Sequence, residues 1–177
     1  MELKPQDLLV LFKRIAAPGR DWTYAGLGQA LHLSASQVHR SVKRCLIAGL
    51  AVEHGRGDWQ PVRGALYEFA VHGVRYAFPA TLGAVKRGIP TSFGAPPLAL
   101  EISAAPGDAP VWPHPDGTAR GPSLTPLSPT AAQAALEDPA LHELLSLQDA
   151  LRIGRARERS LAAQHLKQRL EQANARG

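Results

Sequence analysis

A single cysteine, Cys45, in 177 residues leaves no partner for an internal disulfide and too few thiolates for a cysteine-rich zinc site. It falls on an apolar helical stripe, where a small core residue in a reducing compartment is expected. No run of about 18 apolar residues exists to span a membrane. The amino end also lacks the basic stretch, apolar region and small-residue cleavage site of a secretory signal, so cytoplasmic residence without a membrane partner is expected. The Walker A loop, the GxGxxG turn, HExxH and GxSxG are all missing. His114-Pro115-Asp116-Gly117 brings a histidine and a carboxylate together, but no third ligand, nucleophile or base accompanies them. The expectation is a protein that is not an enzyme and holds neither cofactor nor metal.

What is present allows a core: 45% of residues are apolar and 20% charged, although 15 prolines, most of them after residue 79, and 16 glycines predict long irregular stretches. The net charge of +5 and isoelectric point near 9.8 suit a polyanionic partner. Charge is uneven along the chain. Residues 1–64 hold nine Lys/Arg against five acids, residues 152–177 hold seven against two, and the middle is acidic overall. Length and composition predict a small head and a second, helical or irregular part.

The most telling segment is Thr23 to Leu50. Leu27, Ala30 and Leu31 fall at helical spacing, and after a tight turn Val38, Val42, Cys45 and Leu46 form a second apolar stripe. Ser34 is placed to cap the second helix, with Gln37 three residues on completing a Ser-x-x-Gln box. Ser36, Gln37, Arg40, Lys43 and Arg44 are left outside. Two short helices locked by a turn, the second basic on its outer face, have the build of a DNA-reading helix-turn-helix. The amino end of that second helix presents free N–H groups suited to phosphate.

The segment resembles the winged helix-turn-helix regulators of bacteria, broadly the MarR-like and related groups, whose motif runs T-x-x-x-L-A-x-x-L-G-L-S-x-S-x-V-x-R-x-L-x-x-L-x-x-x-G-L. The match lies at Thr23, Leu27, Leu31, Leu33, Ser34, Ser36, Val38, Arg40, Gly49 and Leu50, and covers roughly residues 1–75 by the usual size of a small module. Gly28 stands where alanine is usual, and His32 where the turn glycine is usual. Histidine is among the non-glycine residues that tolerate a left-handed backbone.

Around this segment, Leu3 to Ala17 carries Leu8, Leu9, Leu11, Phe12 and Ile15 at helical spacing, predicting a first helix that Pro18-Gly19 ends. Trp22 and Tyr24 are expected to staple the start of the second. Gly49 should close the reading helix, with a strand at Leu50-Ala51-Val52, a turn at Gly55 to Asp58 and a strand at Trp59 to Val62 forming the wing. Arg56 at its tip would reach a phosphate or a narrow minor groove, or simply lie in a solvated turn. Gly64 to Tyr76 predicts a fourth helix. From Ala80 to Pro129 prolines interrupt every candidate element, leaving an extended wrap or ordered loop with a strand at Leu98 to Ile102; Lys86 to Gly94 would carry a basic phosphate contact, line a pocket or, the preferred reading, form a turn. Its bulky residues, Phe93 and Trp112 among them, predict that much of it packs.

Helical pattern returns with Ser128-Pro129 opening a short helix to Leu136, and Asp138-Pro139 opening a longer one. Leu141, Leu144, Leu145, Leu147 and Leu151 load its face; Gly154 is either a hinge or a weak point, and Leu161, Leu166 and Leu170 extend the strip. Such a face must pack on its own head or on a second copy. Terminal-helix dimers are common among the regulators this chain resembles, which favours a homodimer.

The expected fold is therefore mainly α: a winged helix-turn-helix head with a β-hairpin wing over residues 1–78, a proline-rich, partly packed segment over 79–129, and carboxyl-terminal helices for dimerisation over 130–177. The expected function is sequence-specific binding of double-stranded DNA as a homodimeric transcriptional repressor, the two reading helices meeting major grooves about 34 to 36 Å apart. Ser36, Gln37 and Arg40 would meet base edges, arginine pairing with guanine and glutamine with adenine. Lys43 and Arg44 would hold phosphates, with Ser34 at the helix start and Arg56 in the wing. The alternative is an adaptor or antitoxin-like protein whose basic and leucine-rich helices hold a protein partner, with DNA binding secondary. The cluster Arg152, Arg155, Arg157 and Arg159 would clamp DNA backbone or an acidic partner, or form a solvated face. His32, His39 and His54 lie around the motif, where they would add charge on acidification or serve the structure.

Overall fold

Asp7 sets the start of the first helix: its carboxylate accepts the Lys4 N–H at 2.8 Å, and Pro5 occupies the first turn, where no N–H is needed. In the computed structural model, which describes residues 1–172, α1 runs Pro5–Ala16. Leu8, Leu9, Val10, Leu11, Phe12 and Ile15 are buried around its whole circumference, the mark of a helix enclosed by others. Both α3 (Ala35–Ile47) and α7 (Pro139–Ile153) pack on it.

Thr23 caps α2 (Tyr24–Leu31) by accepting the Gly26 N–H at 2.9 Å. His32 then takes the left-handed conformation, φ 56° and ψ 40°, and Leu33 N–H returns to the Gly28 carbonyl at 2.8 Å. The turn into α3 is so close that a Cβ on Gly28 would lie 2.5 Å from the Leu33 carbonyl oxygen, which accounts for glycine where alanine is usual. Glycine to alanine inside a helix ordinarily stabilises by about 1 kcal/mol. At this position overpacking reverses the sign, so Gly28→Ala is expected to destabilise by about 1–3 kcal/mol, seen as a lower urea midpoint at unchanged m. A raised midpoint would show that the turn has room to spare.

Gly49, at φ 73°, closes α3: the Leu50 N–H bonds the Cys45 carbonyl at 2.9 Å and the Gly49 N–H bonds that of Leu46 at 3.2 Å. An antiparallel hairpin follows, β1 (Ala51–Gly55) against β2 (Asp58–Pro61), with Glu53 opposite Trp59 and Gly57 at φ 84° in the turn. The first strand is longer than its sequence predicts. Trp59 is buried beneath the hairpin, and the Arg14 guanidinium lies 5.4 Å from its ring centroid.

Residues 63–77 form one helical stretch of α4 (Arg63–Glu68), a π-helical turn over Phe69–Gly73 and α5 (Val74–Ala77). A π-turn leaves carbonyls off the regular ladder. One of them, on Ala70, accepts the buried Gln148 Nε2–H at 3.1 Å.

Two expectations for the middle segment are corrected. Lys86 to Gly94 is not mainly a turn: β3 (Val85–Pro90) is the centre of a three-stranded antiparallel sheet, between β4 (Val111–Pro113) and β5 (Ala119–Pro122). Leu98 to Ile102 is not a strand but carries a 3₁₀ turn, Leu98–Leu100. Backbones pass so closely in the sheet that a Cβ on Gly88 would overlap the Trp112 carbonyl, and one on Gly121 that of Ala109.

The carboxyl-terminal part is α6 (Ala131–Leu136), α7 and α8 (Ala156–Gln172), with Gly154 in an extended conformation breaking the last two apart. Asp138 caps α7 through the Leu141 N–H at 3.1 Å, and its other oxygen holds Lys13 Nζ of α1 at 2.6 Å. The leucines that called for a second copy are covered within the chain instead. Leu141, Leu144, Leu145, Leu147, Leu151, Leu166 and Leu170 all lie in one buried cluster that runs from Leu8 through Trp112 to Leu170. The described residues are mainly helical, with two small antiparallel sheets among them.

Candidate nucleic-acid interface

The helix expected to read DNA, α3, is sealed on one side and open on the other. Val38, Val42 and Cys45 are fully buried, and burial pushes the Cys45 thiol up to about 12, so it stays protonated and inert. Ser34, Ser36, His39, Arg40 and Lys43 are exposed. The principal packing partners of α3 are α1, α2 and β1, all on its inner side. Ser36, Arg40 and Lys43 thus share an open surface, with His39 beside them, its ring 5.1 Å edge-on from that of Tyr24.

Ser34 and Gln37 are tied into the capping box: the Gln37 N–H bonds Ser34 Oγ at 3.2 Å and the Ser34 N–H bonds Gln37 Oε1 at 2.9 Å. The glutamine carbonyl is therefore engaged, and its amide nitrogen is the group left over. A two-bond glutamine–adenine contact needs the box to open first. Arg56 is exposed at the hairpin tip, and Glu53 Oε1 accepts the Gly57 N–H beside it at 3.3 Å.

Arg44 departs from expectation. Its side chain is only 9% exposed, and Nε and Nη2 clasp the Asp7 carboxylate of α1 at 2.8 and 2.6 Å, with Ser41 Oγ 3.0 Å from Nη2. The charge-assisted bonds to Asp7 raise the Arg44 pKa further. Arg44 faces inward, one helical step past Lys43, because α1 offers a buried carboxylate there. It fastens the helix: Nε and Nη2 are committed to Asp7 and Ser41, on a side chain that burial keeps from reaching out to a phosphate.

The arginine cluster of the tail divides in the same way. Arg152 bonds Asp149 at 2.9 Å and the Phe78 carbonyl at 3.1 Å, and Arg159 bonds the Gly154 carbonyl at 2.6 Å, while Arg155 and Arg157 are exposed. His32 Nε2 lies 3.0 Å from Glu137, which also accepts Gln133 Nε2–H at 3.0 Å. The Gln133 bond, and then His32, hold the Glu137 carboxyl below its usual range. Gln133 in turn meets His114 at 3.2 Å, so His114 belongs to a polar seam between sheet, α6 and the turn before α3.

The Lys86-Arg87 pair, which the sequence offers as a candidate phosphate contact, gains a basic neighbour in Arg120. All three are exposed, and Arg87 stands directly opposite Arg120 across the β3–β5 pair. Strand register brings Arg120 to Arg87, whereas Lys86, one residue earlier on β3, stands on the opposite face. Among the described residues no group of three or more His, Cys, Asp or Glu side chains could hold a metal ion. No described helix is long and apolar enough to cross a membrane. No protein-family model, curated protein or solved structure matches the chain.

Proposed function

We propose that this chain is a sequence-reading duplex-DNA-binding regulator built on a winged helix-turn-helix, with α3 as the reading helix and the β1–β2 hairpin as the wing. The observation that carries the reading is the open outer face of α3, where Ser36, Arg40 and Lys43 are exposed on a helix whose inner face is fixed by buried side chains and by the Arg44–Asp7 pair. A rigid helix with a free cationic side fits a major groove, and its capped amino end suits a phosphate. Arg40 meets a base edge, Lys43 and Arg56 meet phosphate, and repression follows by occlusion of the bound site.

The leucine face is spent inside the chain. The reading therefore carries one recognition helix per chain and no longer requires an inverted repeat. The adaptor alternative loses the same leucines as a partner surface and keeps only exposed charges such as Arg155 and Arg157.

Selection from a random duplex pool, followed by titration of the variants, tests the roles. Arg40→Ala is expected to weaken the selected sequence by about 1–3 kcal/mol and to relax preference at one base pair. Lys43→Ala is expected to weaken all duplexes alike and to lower the salt slope by about 1. Equal losses for both variants on selected and random DNA would remove base reading from Arg40.

A further inference from the structure

Between the carboxyl end of α1 and the hairpin lies a cleft of about 590 Å³, within the size range of small-molecule sites. Arg14, Arg20, Arg63 and His54 line it, together with Asp21 and Asp58. Arg14 is the unusual member: its side chain is only 9% exposed, yet the carboxylate that pairs with it, Asp58, is 3.5 Å away and largely in water, and Asp21 acts on it only from a longer range. Its Nη1 donates to the Arg20 carbonyl at 3.1 Å, and its Nε is buried with no partner. Arg63 has a buried, unpartnered Nε on the same cleft. Burial pulls the Arg14 pKa below its ordinary value, the direction expected for a guanidinium short of counter-charge. Buried cations ordinarily carry a close, well-bonded anion.

We infer that this cleft binds a small oxyanion, a phosphate monoester or a carboxylate, whose charge lies between Arg14 and Arg63 and whose organic part rests on Ile15 and Val52. The oxyanion takes the place of the long Asp58 contact, and Arg20 and His54 add donors around it. The inference does not depend on duplex binding.

Indole N–H resonances give a direct readout. Arg20 lies 4.0 Å from the Trp22 ring centroid and Arg14 5.4 Å from that of Trp59, whereas the Trp112 indole is fixed to Asp149 at 2.7 Å. Phenyl phosphate and benzoate, each titrated at constant ionic strength with chloride as reference, should shift the Trp22 and Trp59 indoles saturably and leave Trp112 in place. Arg63→Gln should weaken the better probe about tenfold, the size of one charge-assisted bond, with the unmoved Trp112 signal certifying the fold. Tighter phenyl phosphate assigns a phosphate monoester, and tighter benzoate a carboxylate. Shifts that chloride reproduces, or an affinity untouched by Arg63→Gln, would overturn the inference. So would a DNA duplex that moves the same two indoles and is displaced by phenyl phosphate, because the cleft would then belong to the DNA surface.

Discussion

Arg44→Ala is expected to destabilise the protein by about 3–5 kcal/mol, since removing one member of a buried ion pair strands the other. Asp7 is 2% exposed in its side chain, and besides the guanidinium only the Lys4 N–H bonds it. Domain stabilities are about 5–15 kcal/mol, so the loss takes a large share of the whole and should appear as a much lower denaturation midpoint. Replacing both partners, Asp7→Leu with Arg44→Met, should recover much of it, because no charge then remains buried. A phosphate-contacting Arg44 would behave in the opposite way: normal stability in Arg44→Ala, weakened duplex binding, and no rescue by Asp7→Leu.

Asp149→Ala should cost as much, about 3–5 kcal/mol by the same reasoning. The carboxylate is 1% exposed and accepts from Thr91 Oγ1 at 2.8 Å, Trp112 Nε1 at 2.7 Å and Arg152 Nη1 at 2.9 Å. It is the polar anchor of the proline-rich segment on α7. Truncation leaves an indole N–H and a hydroxyl unpaired together and strips the buried Arg152 guanidinium of its counter-charge, with the Phe78 carbonyl still accepting from Nε. Thr91→Val removes only one neutral partner and should cost about 1 kcal/mol. Burial raises the Asp149 pKa against the opposing pull of Arg152. A carboxyl whose folded pKa lies above its unfolded value favours the folded state most at low pH, and loses that contribution as pH rises through the interval between the two. Asp149→Ala should therefore flatten this part of the stability profile as well as lower it. Unfolding of Asp149→Ala at the native midpoint would contradict the anchoring role.

The segment from Thr23 to Leu50 was legible because its signals are local. The Ser34–Gln37 box, the left-handed His32 and the Gly49 cap each depend on residues within five positions of one another, and each forms as the spacing requires. Arg44 was not legible. Helical spacing sets it beside Lys43 and next to the apolar stripe, and nothing within α3 says that a carboxylate 37 residues earlier waits on that side. The middle sheet was hidden for related reasons. Its strands are short, prolines stand at the ends of all three, and β3 is exposed over its first three residues and buried over the next two, so no alternation appears. Ser146, Gln148 and Asp149 stand among the leucines of α7, and they are buried because the middle segment and the π-turn cover that side too. The same enclosure leaves no leucine strip for a second copy. Side-chain pairing across 58 or 78 residues cannot be read from periodicity.

Whether the outer face of α3 meets DNA can be tested most directly by reversing its charge. Arg40→Glu with Lys43→Glu alters two exposed side chains that make no buried contact, so the denaturation midpoint should stay within about 0.5 kcal/mol of native. Binding to the duplex selected by the native protein should fall by about a hundredfold or more, with a shallower salt dependence. A folded double variant that binds that duplex as tightly as the native chain would place the contact surface elsewhere.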